Sequence, residues 1–182
     1  NPDRPVFERA GASGIFVRNY QDAILVNQLG QRFYNEMVAG FVRTAENDYK
    51  NAYDYIAAAL GSVQWRENGV LKRLGGPIWA VFDADAAERE RWVLEPPFVD
   101  PNGYFFSGDT LAELAEKIES PYQKFSMPPV NLQASVARYN SFVDNGQDPD
   151  FGKPAPQYRI QTPPFYAAWA TPILHDTYAG LR

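Results

Sequence analysis

The stretch Ala23-Ile24-Leu25-Val26-Asn27-Gln28-Leu29-Gly30-Gln31-Arg32-Phe33-Tyr34-Asn35 reads as a strand, a turn and a returning strand. Ile24, Leu25 and Val26 form a short apolar run rich in β-branched residues, which suits extended backbone. Gln28–Gln31 is the turn, with Gly30 free to take a positive φ, and Arg32–Asn35 is expected to run back beside the first strand. A second apolar run upstream, Gly14–Arg18, predicts a further strand.

Downstream the period changes. Tyr49, Ala52, Tyr53, Ile56, Ala57 and Leu60 recur at helical spacing, and Gly61 is placed to end that helix. Pro77–Phe82 is a continuous apolar run, the pattern of a strand covered on both faces. Asp83 or Asp85 caps a short charged helix reaching Trp92, and Tyr104-Phe105-Phe106 is a brief strand. Thr110 with Glu113 is a capping-box pair opening a helix whose inner face is Leu111, Leu114, Ala115 and Ile118. Asn131 is expected to cap the next helix, with Leu132, Val136, Tyr139, Phe142 and Val143 inward and Gly146 at its end. Strand-like pieces follow at Tyr158–Ile160 and Phe165–Ala170. Strands and helices alternate without a βαβ rhythm, so the fold class is α+β, a mixed small sheet with packed helices.

Composition removes several function classes. With 182 residues, of which 45% are hydrophobic, the chain is long enough to bury one real core. Its net charge of −5 argues against a nucleic-acid partner. There is no cysteine, hence no disulfide, thiolate metal site or cysteine nucleophile, and the single histidine, His175, excludes a multi-histidine metal site. The longest apolar stretch, 163–174, is broken by proline and shorter than the roughly 20 residues of a spanning helix, so no membrane insertion is expected. The N-terminal residues lack a signal-peptide core, which leads to an expected cytoplasmic location.

Few residues then remain to carry chemistry. Asp83, Asp85, Glu88 and Glu90 have the makings of paired carboxylates, but a helix cap followed by a solvated face explains them as well. Glu113, Glu116 and Glu119 fit a helix exterior. The four Trp, eleven Tyr and twelve Phe mostly occupy core-facing positions; the exception is Trp169 with Phe165 and Tyr166, near the lone histidine. Gly75-Gly76-Pro77 precedes a strand, the wrong order for a dinucleotide loop. His175 stands in Pro172-Ile173-Leu174-His175-Asp176-Thr177-Tyr178-Ala179-Gly180-Leu181, where a small-residue pair suits close approach of backbone to a planar ligand.

The opening stretch, extended to Glu36, resembles the I-x-V-N-x-x-G-x-R-F-x-N-E signature of the flavoprotein family that contains soluble fumarate reductases and ketosteroid dehydrogenases. Further segments agree in the same order: Thr110-Leu111-x-Glu113-Leu114-Ala115, Tyr139-Asn140-x-Phe142-Val143, Gly146-x-Asp148-x-x-Phe151-x-Lys153-Pro154 and Pro164-Phe165-Tyr166-Ala167. The His175 segment stands where the family has P-x-x-H-H-T-x-G-G-L. The matches span residues 17 to 182.

The resemblance implies the capping domain of a two-domain flavoprotein. Residues 1–26 would be flanking strands of an FAD-binding domain, 27–170 the cap and 171–182 a return segment. The G-x-G-x-x-G motif for FAD is absent, which implies a fragment of a longer enzyme, inactive by itself. The implied chemistry is hydride exchange between flavin N5 and one carbon of a carbon–carbon bond, with the proton handled by protein. The resemblance makes His175 the first candidate, with Asp176 and Thr177 orienting it, and adds Arg43 and Tyr178 as proton-handling candidates. Ala179, Gly180 and Trp169 would lie near substrate or cofactor. Departures matter too. The family's proton-donating arginine falls where this chain has Gly40, with Arg43 three residues later. The second histidine is Asp176, the first glycine of the pair is Ala179, and Gly14-Ile15 replaces a Thr-Glu. Fewer donors and an added acid disfavour a dicarboxylate and favour a neutral or apolar small-molecule substrate. The implied partner is the FAD-binding domain of the same polypeptide; the alternative is a non-catalytic binding or assembly module that keeps the cap fold.

Overall fold

Pro77–Phe82 carries no polar side chain, so neither face of an extended run here can be turned to water. In the computed structural model, which describes residues 15, 17, 19–39 and 55–171, every residue of the run is buried, and from Trp79 on it forms a strand that ends at Asp83. After a 3-10 turn at Tyr20–Asp22, the elements are β1 (Ile24–Val26), α1 (Glu36–Ala39), helical residues 55–60, β2 (Val63–Glu67) and β3 (Val70–Leu74). Then come β4 (Trp79–Asp83), α2 (Ala84–Glu90), β5 (Phe105–Gly108), α3 (Leu111–Lys117), α4 (Pro129–Asn145) and β6 (Phe165–Trp169). The main sheet has the order β1-β4-β6-β5 with all neighbours antiparallel, and β2–β3 is a separate hairpin. This is the expected α+β class.

The two-residue period of β4 explains why its residues Trp79–Phe82 are all apolar. Trp79 and Val81 point to the side covered by α3 and α4, joining Leu114, Ile118, Leu132, Val136 and Tyr139. Ala80 joins Leu25, Ile78 and Ala59, while Phe82 packs with Ala86 and Phe105. The N-terminus of α2 is capped by Asp83, whose carboxylate accepts from the Ala86 N–H at 3.0 Å. Thr110 caps α3 as its pattern predicts, accepting from the Glu113 N–H, while the Glu113 carboxylate accepts from the Asp109 N–H. Gly146 closes α4 at φ 68°, a left-handed position that suits glycine.

Several local expectations are corrected. Arg32–Asn35 is not a strand: one bridge, Val26 to Arg32, is all that forms. The Asn27 carboxamide takes the N–H groups of Leu29 and Gln31, tightening the turn and sending the chain into α1. Ile15 and Val17 lie in no strand, and the rest of Gly14–Arg18 is outside the described residues. In the helical residues 55–60 the buried side chain is Ala59, whereas Leu60 is 66% exposed; Tyr49, Ala52 and Tyr53 are outside the described residues. Asn131 is not a cap. Pro128 holds that position, with Pro129 as the first helical residue, and the Asn131 amide donates to the Leu29 carbonyl at 3.0 Å. Tyr158–Ile160 pairs with no strand because the Asn140 side chain clamps both the N–H and the carbonyl of Ile160, each at 2.8 Å. The β2–β3 hairpin had its own signal, Asn68-Gly69, both at positive φ (51° and 80°) as a tight hairpin turn requires. β1 stands at one edge of the four-stranded sheet, paired with β4. No helix among the described residues is long and apolar enough to cross a membrane.

Candidate functional site

The turn after β1 delivers Arg32 to the interior, and α1 begins four residues later at Glu36, which places the two side chains on the same side. The Arg32 guanidinium donates through Nε and Nη2 to the two Glu36 oxygens at 2.8 Å each. Nη2 also reaches Asp148 Oδ2 at 2.9 Å, Asp148 lying just beyond the Gly146 cap of α4. Lys153 completes the group: its Nζ lies 3.6 Å from Glu36 Oε2 and donates to the Ala23 carbonyl at 3.0 Å. The Tyr139 ring closes one side, 5.1 Å from the Arg32 guanidinium and 4.7 Å from the Lys153 ammonium. Four charged side chains, none more than 5% exposed, thus balance to zero net charge inside the domain.

Each charge is held by its neighbours. Burial works against the Arg32 cation, but hydrogen bonds and charge from Glu36 and Asp148 outweigh it and raise its pKa. Burial likewise opposes the Asp148 anion, yet Arg32 and the N–H groups of Phe151 and Asp150 hold that carboxyl below its ordinary range. Burial dominates at Lys153, bringing it down to about 8 despite Glu36. Glu36 also accepts the Leu25 N–H at 3.1 Å, and Asp148 those of Asp150 and Lys153. A sealed group of this kind cannot exchange protons with a substrate; it ties β1, α1 and the 148–153 loop together. Its residues are the ones in the sequence motifs Gly30–Glu36 and Gly146–Pro154, so the most legible part of the signature is a fastening.

Of the sequence-predicted site residues, Trp169 lies in the described structure. Arg43, His175, Asp176, Thr177, Tyr178, Ala179 and Gly180 are outside the described residues. Trp169, at the end of β6, is half-buried and meets Trp79, Tyr104 and Tyr122 edge-on at ring distances of 5.5, 5.2 and 5.9 Å. Its companions Phe165 and Tyr166 are core: Phe165 is buried under α3 and α4, and Tyr166 stacks on Phe82 and Phe105. Asp83 and Asp85 serve structure: Asp83 Oδ2 accepts from the Gln161 and Thr162 N–H groups, and Asp85 from the Thr162 hydroxyl. No group of three metal-ligating side chains occurs among the described residues.

A second aromatic group gathers around Tyr55, at the start of the helical residues 55–60. Tyr55 lies 6.5 Å from Phe33, nearly parallel, and 5.7 Å from Tyr34, and its hydroxyl donates to the Ala170 carbonyl at 2.8 Å. Burial pushes the Tyr55 phenol well above its ordinary pKa, so it stays protonated and remains a donor. Sequence patterning put Tyr55 on no apolar stripe and did not mark it.

Nothing among the described residues fits the pyrophosphate of FAD. No described glycine loop opens a helix, and the two buried cations, Arg32 and Lys153, are both engaged by carboxylates.

No family model matches the chain. The chain is 42% identical over 112 residues to NADH:acrylate oxidoreductase of Vibrio harveyi, covering 59% of this chain and 10% of that protein. It is 28% identical over 187 residues to 3-oxosteroid 1-dehydrogenase of Mycolicibacterium smegmatis, covering 91% of this chain and 29% of that one. The chain therefore spans between a tenth and a third of the length of these curated relatives. The solution structure of a fumarate reductase flavoprotein subunit from Lactobacillus plantarum shares the fold at TM-score 0.57 and 19% identity, covering 93% of this chain and 98% of that one.

Proposed function

We propose, for a chain that belongs to the fumarate reductase- and ketosteroid dehydrogenase-related family of flavoproteins, that it is the cap of an FAD-dependent oxidoreductase acting on a carbon–carbon bond. The observation that carries this reading is alignment across nine-tenths of the chain with a dehydrogenase that is several times longer. FAD belongs to the remainder of the same polypeptide, with residues 1–26 and 171–182 flanking a cap at 27–170. Hydride exchange falls to that cofactor and its domain. This chain's own tasks are to orient the substrate, to exclude water and to deliver or accept the proton.

His175 is the first candidate for bonding substrate or cofactor, oriented by Asp176 and Thr177. Arg43 and Tyr178 are the candidates for proton delivery, and Ala179 and Gly180 allow close backbone approach. Trp169 contributes apolar wall. The substrate is neutral or apolar rather than fumarate, because Gly40 replaces a cation and Asp176 adds an anion where two carboxylates would need donors. The isolated chain is inactive.

The full open reading frame, expressed and purified, tests the proposal. Bound FAD, visible as a yellow protein, and reoxidation of the reduced flavin by the neutral enone cyclohex-2-enone in preference to fumarate are the expected results. A colourless protein overturns the enzyme reading in favour of a binding module, and preference for fumarate overturns the substrate class. In the same holoenzyme His175→Ala is expected to lower kcat/KM by about two orders of magnitude, the usual scale for losing a positioned proton-handling group.

A further inference from the structure

The β2–β3 hairpin sorts its charges by face. Its register pairs Gln64 with Arg73 and Arg66 with Leu71, and the alternation of strand side chains puts these four on one face. Glu67 and Lys72 pair with each other on the opposite face. The Arg66 guanidinium donates to the Gly69 carbonyl at 3.2 Å, whereas Arg73 has no ion-pair or hydrogen-bond partner among the described residues. Arg73 lines an open cleft of about 290 Å³ between this face and the helical residues 55–60. Phe33, Ala57 and Ala58 supply apolar wall there, and Ser62 and Gln64 supply polar groups. The Ser62 hydroxyl is shielded from water and has no hydrogen-bond partner, a state that folded proteins rarely keep without a reason. Gln64 donates one N–H to the Gly61 carbonyl at 3.3 Å, which leaves its second for another acceptor.

We propose that this cleft binds a small aromatic monocarboxylate, its carboxylate on the Arg73 guanidinium and its ring against Phe33 and the two alanines. A guanidinium fork takes both oxygens of one carboxylate, and the Ser62 hydroxyl and the Gln64 amide are further donors. One free cation suits one negative charge. The cleft borders the C-terminal end of the helical residues 55–60, the negative end of their dipole, which disfavours the higher charge of a phosphate. Arg66, a cross-strand diagonal away at roughly 7–8 Å, adds positive potential from the same face. The volume stands at the lower end of small-molecule sites, about 300 Å³, and so fits a single ring rather than a fused system. The site draws on no residue assigned above to substrate or flavin.

Benzoate added to the full-length protein is the probe, with benzamide as its uncharged counterpart. Amide hydrogen exchange of 57–64 and 71–74 is expected to slow as benzoate is titrated, and the dose dependence gives a Kd in the millimolar range or tighter. Benzamide is expected to leave that exchange unchanged. Arg73→Gln is expected to raise the Kd about tenfold, the scale of one lost charge-assisted contact, and Ser62→Ala about threefold. Arg73 is exposed, so Arg73→Gln is expected to keep the unfolding midpoint of the unliganded protein. No slowing at 57–64 and 71–74, equal slowing by benzamide, or a Kd for Arg73→Gln within twofold of wild type each overturns the site.

Discussion

Asp148 and Asp150 stand two residues apart and each pairs with an arginine, yet they belong to different kinds of surface. Asp148 meets Arg32 with both side chains almost fully buried; Asp150 meets Arg138 where the arginine is 62% exposed. At the rim, water competes for both partners, so such a pair is worth little. Inside, the desolvation of each charge has been offset only by its neighbours, so removing one partner leaves the others stranded. Glu36→Gln is the sharpest way to break this comparison. It keeps the shape but removes the anion that faces both Arg32 and Lys153. Chemical denaturation is expected to show a loss of about 3–5 kcal/mol, the range for breaking a buried pair from one side. A loss under about 1 kcal/mol would place the buried group in the same class as the rim pairs.

Lys153 sharpens the same contrast through pH. Burial lowers its pKa to about 8, against about 10.4 in an unfolded chain. Between these values the unfolded state binds more protons than the folded one, so stability rises with pH across that window. Below about pH 8 both states are protonated and the slope vanishes. Above about pH 10 the buried phenols of Tyr55 and Tyr139, both raised by burial, act in the opposite sense, because the unfolded chain then loses its protons first. The expected profile of unfolding free energy is therefore a rise from pH 8 towards 10 followed by a fall, and Lys153→Met should flatten the rise. A rise that persists in Lys153→Met assigns it to another group.

The part of this molecule that could be read from sequence is the part where one residue's chemistry acts on its neighbours in the chain. The buried run at 77–82, the Thr110 and Asp83 caps and the Gly146 stop all work within a few residues, and each formed as expected. The misreadings share a cause. Arg32–Asn35, Asn131 and Tyr158–Ile160 were each decided by a side chain: Asn27 nearby, Asn131's own reach to Leu29, and Asn140 from twenty residues away. The buried ion group is the clearest case. Arg32 and Glu36 are visible as an i, i+4 pair, but nothing local says that Asp148 and Lys153 arrive beside them from more than a hundred residues on. The recognisable motifs therefore announced the family without announcing what those residues do. Tyr55 was silent for the same reason, its partner being Ala170.

The smallest expected effect closes the comparison from the other side. Arg138 projects from α4 into water and meets Asp150 with good geometry, and each partner's pKa is moved chiefly by their mutual hydrogen bonds, upward for the arginine and downward for the acid. Good geometry in a single structure is not stability, because solvent replaces both partners at little cost and the long side chain regains its rotamers when released. Arg138→Gln is therefore expected to leave the denaturation midpoint unchanged, although it removes as many charge-assisted hydrogen bonds as a truncated buried pair would. Should the midpoint instead drop as it does for Glu36→Gln, burial would cease to be what separates Asp148 from Asp150. The loop between them, whose Asp150 N–H is held by the Asp148 carboxylate, would then have to be treated as one coupled unit.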